Sequence, residues 1–254
     1  MPAHLRPSTV RFSSNIALHV EPMSPSHDDN SEQPTTFQRK IRSFVRREGR
    51  MSRRQTTAYE SLFPRYGIDF TPQSLDYQKL FERTAPTTLE IGFGMGDTLA
   101  TMALNNPDIN YIGIEVHRPG VGSLLATIEE KQINNIRIFC HDAVEVLEHV
   151  IPNQSLDEIQ IFFPDPWPKK RHHKRRLIQA AFVELLAKKL KNQGKLHIAT
   201  DWKNYAEWIE EIIAASPMFS RLPDDTLYQR PTTKFEKRGL KLGHDVWDMI
   251  YQRK

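Results

Sequence analysis

The chain has 254 residues, 35 Lys+Arg against 31 Asp+Glu, and a formal net charge of +4. At 39% hydrophobic it can bury a real core, and no stretch approaches the ~18 apolar residues of a membrane span, which excludes an integral membrane protein. A single cysteine, Cys140, excludes an intrachain disulfide and a Cys-based zinc site. With no apolar signal core near Met1, the expected setting is the cytoplasm.

Residues 1–36 hold five prolines and no sustained periodicity, and read as a disordered tail. Residues 37–86 read as a basic arm, because eight Lys/Arg and one acid fall between Arg39 and Arg54, with aromatic residues nearby. Residues 87–254 are expected to be the folded domain and carry 22 basic and 22 acidic groups, so the net charge sits in the N-terminal third. There the pattern becomes regular. Short apolar runs at Thr88–Ile91, Tyr111–Ile114, Ile136–Phe139, Glu158–Phe163 and Lys195–Ala199 alternate with helical stretches. The helices are expected from Asp97, after Pro119, at Ala143–Val150, at Leu177–Leu190 and from Asn204. Such alternation predicts a doubly wound α/β sheet. Asp97 is the expected N-cap of the first helix, and Asn106-Pro107 its stop. Gly194 is expected to end the linker before the fifth strand. Asp245–Tyr251 is rich in β-forming residues with no helix after it, as for a last antiparallel strand.

Three of the 11 glycines fall in Gly92-Phe93-Gly94-Met95-Gly96, between the first strand and the first helix. A dinucleotide fingerprint would need glycine at 97, where Asp97 stands. Glu90, two residues upstream, is a poor neighbour for a pyrophosphate but suits a cationic ligand such as the amino group and sulfonium of S-adenosylmethionine. Glu115 ends the second strand, where an acid accepts from a ribose diol; this fits S-adenosylmethionine and NAD alike. Asp142 follows the third strand and suits either an adenine amine or the N-cap of the next helix. Three acids at three successive strand ends match the carboxyl-edge crevice of open α/β sheets.

The fourth run ends in Phe162-Phe163-Pro164-Asp165-Pro166-Trp167-Pro168. Three alternate prolines make this a stiff loop that offers an aromatic plane and an acid to a flat ring. Lys169, Lys170, Arg171, His172, His173, Lys174, Arg175 and Arg176 follow without an acid. This run reads either as a solvated face or as a phosphate track beside a nucleobase pocket. The histidines show no metal-ligand spacing, so no metal is expected, and His172 and His173 should point apart.

These blocks resemble the motif series of the bacterial tRNA (guanine-N7-)-methyltransferases. It runs through Ile91 to Gly96, Gly113-Ile114-Glu115-Val116-His117, His141-Asp142-Ala143, the Pro164-Asp165-Pro166-Trp167 loop, Ala199-Thr200-Asp201-Trp202 and Thr233-Lys234-Phe235-Glu236. Arg42 to Val45 and Arg47 to Arg50 match it as well. The resemblance covers residues 37–254; the tail matches nothing in it. It implies a Rossmann-like class I methyltransferase with a seven-stranded sheet whose last strand is antiparallel. The implied reaction moves a methyl group from S-adenosylmethionine to N7 of a guanine in the tRNA variable loop. Carried over, Glu90, Gly92, Gly94, Gly96, Glu115, Asp142 and Ala143 hold the cofactor, and Asp165 is the active-site acid. Lys169, Asp201, Thr233, Lys234, Phe235 and Glu236 contact the substrate, and Arg171, His172, His173, Lys174, Arg175 and Arg176 contact RNA. The expected partner is tRNA, with the chain a monomer or weak homodimer.

On the residues alone, other readings stay open. One is the same fold acting on another RNA, a protein or a small molecule, which leaves both basic clusters as surface. A NAD-dependent oxidoreductase is opposed by Asp97. A non-catalytic RNA-binding module leaves the three acids unexplained. Thr233 to Glu236 lies far along the chain and must fold back to the carboxyl edge to touch substrate; otherwise it is a polar loop before the last strand.

Overall fold

The apolar runs form strands, and the stretches between them form crossover helices. The computed structural model of the protein describes residues 49–223, 230–233, 236 and 245–254. The 1–36 tail, the basic positions from Arg39 to Arg47, and Lys234 and Phe235 lie outside the described residues. Strands β1 (Thr87–Ile91), β2 (Asn110–Ile114), β3 (Ile136–Phe139), β4 (Leu156–Phe162), β5 (Leu190–Thr200), β6 (Phe219–Arg221) and β7 (Trp247–Arg253) form one sheet in the order β3-β2-β1-β4-β5-β7-β6. β1 to β5 are mutually parallel, and β7 runs antiparallel between β5 and β6. The winding reverses between β1 and β4, which opens a crevice at their carboxyl ends.

Among the described residues seven α-helices pack with the sheet: α1 (Arg53–Tyr66), α2 (Tyr77–Phe81), α3 (Asp97–Asn105), α4 (Arg118–Lys131), α5 (Ala143–His149), α6 (Ala180–Lys189) and α7 (Lys203–Ala214). One core joins Leu89 and Ile91 of β1 to α5, α6 and α7. The other joins Phe93, Tyr111, Ile136 and Ile138 to α1, α3 and α4. β1 is buried on both faces, so it reads as an apolar run rather than an alternating one. Residues 53–81, inside the stretch read as an arm, build α1 and α2. Ser52 and Gln55 form a reciprocal capping box that starts α1, and the Ile68 N–H donates to the Ile138 carbonyl at 2.8 Å beside β3.

Three local expectations are corrected. The N-cap of α3 is Gly96, at φ 83°, and Asp97 is the first helical residue, because the glycine turn continues one residue further. Residues Leu177 to Gln179 stay outside α6. The Ile178 N–H donates to the Tyr205 hydroxyl at 3.2 Å and its carbonyl accepts from Trp208 Nε1 at 2.8 Å, so tertiary partners replace helical ones. β5 begins at Leu190, paired with Leu156, and passes through Gly194 after a register shift; residues 190–194 are an irregular strand rather than a linker.

Candidate active site

A cavity of about 250 Å³ opens at the carboxyl ends of β1, β2, β3 and β4, lined by Gly92, Gly94, Glu115, Asp142, Ala143 and Asp165 among others. Four strand ends therefore meet at one crevice, as the chain order predicts. Gly92 and Gly94 have φ of 77° and 59°, and a Cβ on either would point into open space, so bare backbone faces the cavity. Gly96 has a packing requirement of its own. It is not among the cavity's lining residues, and a Cβ there would come within 2.6 Å of Leu124, so the glycine lets α3 pack on α4.

The acids are held very differently from one another. Glu115 accepts three backbone N–H groups: Val116 at 2.7 Å and His117 at 3.0 Å on Oε1, and Gly94 at 2.9 Å on Oε2. These bonds aim its carboxylate at the cavity and tie the end of β2 to the glycine turn. A carboxylate has about four acceptor positions, so one remains on Oε2 for a ligand. Asp142 Oδ1 caps α5 through the Val144 N–H at 2.9 Å, while the residue also lines the cavity; the cap and the site coexist. Glu90 is only 3% exposed; it is not among the residues that line the cavity but lies close enough to Glu115 for their charges to interact. Its Oε2 is buried without a hydrogen-bond partner. Burial, with the Glu115 charge adding to it, pushes its pKa up to about 8. An orphaned buried carboxyl group gains from an approaching cation.

The Pro-rich loop stands at the mouth of this cavity. Asp165 is exposed there, between two aromatic residues with left-handed backbone, Phe163 at φ 50° and Trp167 at φ 45°. Such conformations cost on the order of 1–3 kcal/mol each and persist only where surroundings enforce them. The Phe163 N–H donates to the Ala199 carbonyl at 2.8 Å, which ties the loop's start to β5. Arg176 ties its end. Arg176 Nε donates to the Pro166 carbonyl at 2.9 Å and Nη2 to Asn204 Oδ1 at 2.7 Å, and the guanidinium lies over the Tyr205 and Trp208 rings. Arg176 is 2% exposed. This corrects its expected role: it is a bolt between the loop and α7, and it is too deep to meet RNA.

The rest of the basic run is a 3₁₀ turn over Lys170–Arg175. Lys169, Lys170, Arg171 and Lys174 are exposed. Arg175 lies over the Trp167 ring at 5.0 Å, so that indole is half-buried under a cation rather than packed in the core. His172 faces Trp167 and His173 faces Trp208, and thus they do point apart. Loss of hydration and the Arg171, Arg175, Lys169 and Lys174 charges lower the His172 pKa, and its Nε2 accepts from Arg171 Nε at 3.2 Å, as a neutral imidazole can. Asp201 follows β5 at the same edge, one residue before Trp202, the N-cap of α7.

A putative methyltransferase family model matches residues 84–249. The chain is 53% identical over 238 residues to the tRNA (guanine-N(7)-)-methyltransferase of Aeromonas hydrophila, covering 90% of this chain and 99% of that one. It is 52% identical over 222 residues to the enzyme of the same name from Shewanella amazonensis, covering 85% and 93%. The chain belongs to the tRNA (guanine-N(7)-)-methyltransferase family. A solved structure of an antibiotic related methyltransferase matches with a TM-score of 0.50 at 16% identity, over 74% of this chain and 95% of that one, and shares the class I methyltransferase fold.

Within this family member, Thr233 and Glu236 do return to the carboxyl edge. The Thr233 N–H donates to Glu236 Oε2 at 3.2 Å, and the Glu236 N–H donates to Thr233 Oγ1 at 3.0 Å. Glu236 is held in turn by Arg230, which also binds Asp248 of β7, the register partner of Ala199. Arg230, Asp248, His197 and the bolting role of Arg176 were missed in the sequence. Their partners lie between six and 51 positions away, and no local pattern marks them. Among the described residues no group of three or more His, Cys, Asp or Glu gathers as for a metal, and no helix is long and apolar enough to cross a membrane.

Proposed function

We propose that the protein transfers the methyl group of S-adenosylmethionine to N7 of a guanine in the variable loop of tRNA, in the cytoplasm, with Asp165 as the active-site acid. The observation that carries this reading is that Asp165 stands on a strained, pinned loop beside the cavity that Gly92, Gly94, Glu115 and Asp142 line. The cavity's donors and acceptors fit the cofactor. Glu115 and Asp142 would take the ribose diol and adenine amine, the bare backbone at Gly92 and Gly94 allows close approach, and Glu90 answers the cationic end. When bound, S-adenosylmethionine supplies an electrophilic methyl group on a sulfonium.

Guanine N7 carries a free lone pair and no proton, so no base is needed to expose it. The protein's task is positioning. Asp165 accepts the guanine N–H groups, holds N7 at the cavity mouth and offsets the positive charge that grows on the ring. Trp167, framed by Arg175 and His172, offers the ring a plane, and Lys169, Asp201, Thr233 and Glu236 surround it. Arg171 and Lys174 meet phosphates.

The test is nucleoside analysis of tRNA methylated by wild type and by Asp165→Asn, with cofactor affinity measured alongside. The variant is expected to lose roughly 10²–10³-fold in turnover while binding S-adenosylmethionine within about twofold of wild type. Equal losses in both would remove Asp165 from this role, and a product other than 7-methylguanosine would overturn the substrate assignment.

A further inference from the structure

The buried guanidinium of Arg230 joins two parts of the site that are far apart in sequence. Its side chain is 5% exposed. Nε and Nη2 donate to the two oxygens of Asp248 at 2.7 Å each, and Nη1 donates to Glu236 Oε2. The ring of Phe162 and that of Phe163 each lie 5.4 Å from its central carbon. Asp248 is held from its other side by His197, 1% exposed, whose Nε2 lies 2.7 Å from Oδ1 and whose ring stands edge-on to Phe162. Burial pulls the Arg230 pKa down, but Asp248 and Glu236 together push it above the ordinary arginine value, so it keeps its charge. Burial likewise raises Asp248, and His197 with Arg230 outweighs that to hold it at about 2.

One planar cation thus serves two carboxylates and two rings. One carboxylate, Glu236, accepts from the Thr233 N–H, and the Glu236 N–H donates back to Thr233 Oγ1. One ring, Phe163, is the strained first residue of the Asp165 loop. A lysine could satisfy one carboxylate but cannot span both as a fork. A simple structural ion pair would not need to lie between these two segments.

We propose that Arg230 is a positioning residue for methyl transfer: it fixes Glu236, and through it Thr233, against the root of the Asp165 loop, so that groups on both sides hold the guanine in one pose. The inference rests on the reading of Thr233 and Glu236 as substrate contacts. Arg230 itself acts through Glu236 and Phe163 and touches no reacting atom. Small misplacements of a bound substrate cost about 10²-fold in rate, which sets the scale of the expected effect.

Arg230→Lys, Glu236→Gln, Thr233→Ala and the double variant of Arg230→Lys with Glu236→Gln are compared with wild type in full-length protein, using tRNA methylation kinetics, S-adenosylmethionine affinity and thermal unfolding. Arg230→Lys is expected to lower kcat for tRNA roughly 10- to 100-fold, with cofactor affinity within about twofold. The double variant should lose clearly less than the product of the two single losses, because both break the Arg230–Glu236 link. Full turnover in Arg230→Lys, multiplying losses in the double variant, or a parallel fall in cofactor affinity would each overturn the inference. If Glu236→Gln and Thr233→Ala act normally on tRNA, the two residues are not substrate contacts and the inference falls with that reading. If they are impaired and Arg230→Lys is not, the inference alone falls. Should Arg230→Lys fail to fold, Asp248→Asn loosens the same guanidinium and is expected to lower kcat in the same direction; an unchanged kcat there overturns the proposal.

Discussion

The two halves of the site are built on opposite plans. The cofactor half, at the ends of β1, β2 and β3, is held by backbone: Glu115 takes three amide N–H groups and Asp142 caps its own helix. The substrate half, at the ends of β4 and β5, is held by long side chains from distant segments, Arg176 to Pro166 and Asn204 and Arg230 to Asp248 and Glu236. Backbone bonds made within a few residues are rigid at little entropic cost, which suits a pocket for one fixed molecule. Arginine bolts order a proline-stiffened loop while leaving its tip exposed, which suits a surface that must admit a base from a large partner.

The contrast is broken most sharply at Arg176. If it is a bolt, Arg176→Met should destabilise the protein by about 2–3 kcal/mol, because Pro166 and Asn204 lose a charged hydrogen-bond partner, and turnover should fall with the loop's order. Chemical denaturation with a tRNA kinetic assay checks this. Stability unchanged within about 0.5 kcal/mol, with only the tRNA Michaelis constant raised, would return Arg176 to the RNA surface.

Glu90 sharpens the cofactor half. Its pKa of about 8 in the ligand-free fold lies above the unfolded value of 4.5, so the native state binds the extra proton between those values. The stability associated with this group is therefore full below about pH 4.5 and is lost as pH rises through about 8. Glu90→Gln should flatten the decline in stability between pH 5 and pH 8, and the gap between variant and wild type should grow toward the alkaline end. A cation arriving beside Glu90 should also expel its proton. Calorimetry of S-adenosylmethionine binding near pH 7, in buffers of different ionisation heat, should then show proton release in wild type that Glu90→Gln diminishes. Equal proton release in the two would detach Glu90 from the cofactor.

The same contrast explains what was legible in the sequence. The strands, the glycine turn and Glu115 and Asp142 were readable because they are local: apolar runs of strand length, and acids next to the turns they serve. The start of α6 was misread because Tyr205 and Trp208 capture the backbone of Ile178 from 27 and 30 positions away. Arg176 was misassigned because it closes a run of basic residues that sequence cannot divide into exposed and buried members. The packing requirement at Gly96 was not legible, because its spacing suits a ligand loop as well as it suits the contact with Leu124. Arg230 carried no signal, since its partners are Asp248 of β7 and Glu236, six residues on.

The smallest expected effects lie on the exposed part of the basic turn, where the comparison predicts the reverse of Arg176. Arg171 and Lys174 are exposed in the 3₁₀ turn, whereas Arg175 rests on Trp167. Arg171→Ala and Lys174→Ala should leave stability within about 0.5 kcal/mol of wild type. Each should weaken tRNA binding modestly at low salt, and each should reduce the magnitude of the slope of log affinity against log salt by about one, as loss of one phosphate contact does. Arg175→Ala should differ from both, because removing the cation that covers Trp167 disturbs the guanine's stacking plane and should lower kcat as well as affinity. If all three variants shift only the salt slope, Trp167 needs no cation to hold it, and the loop is ordered by Arg176 and the Phe163–Ala199 bond alone.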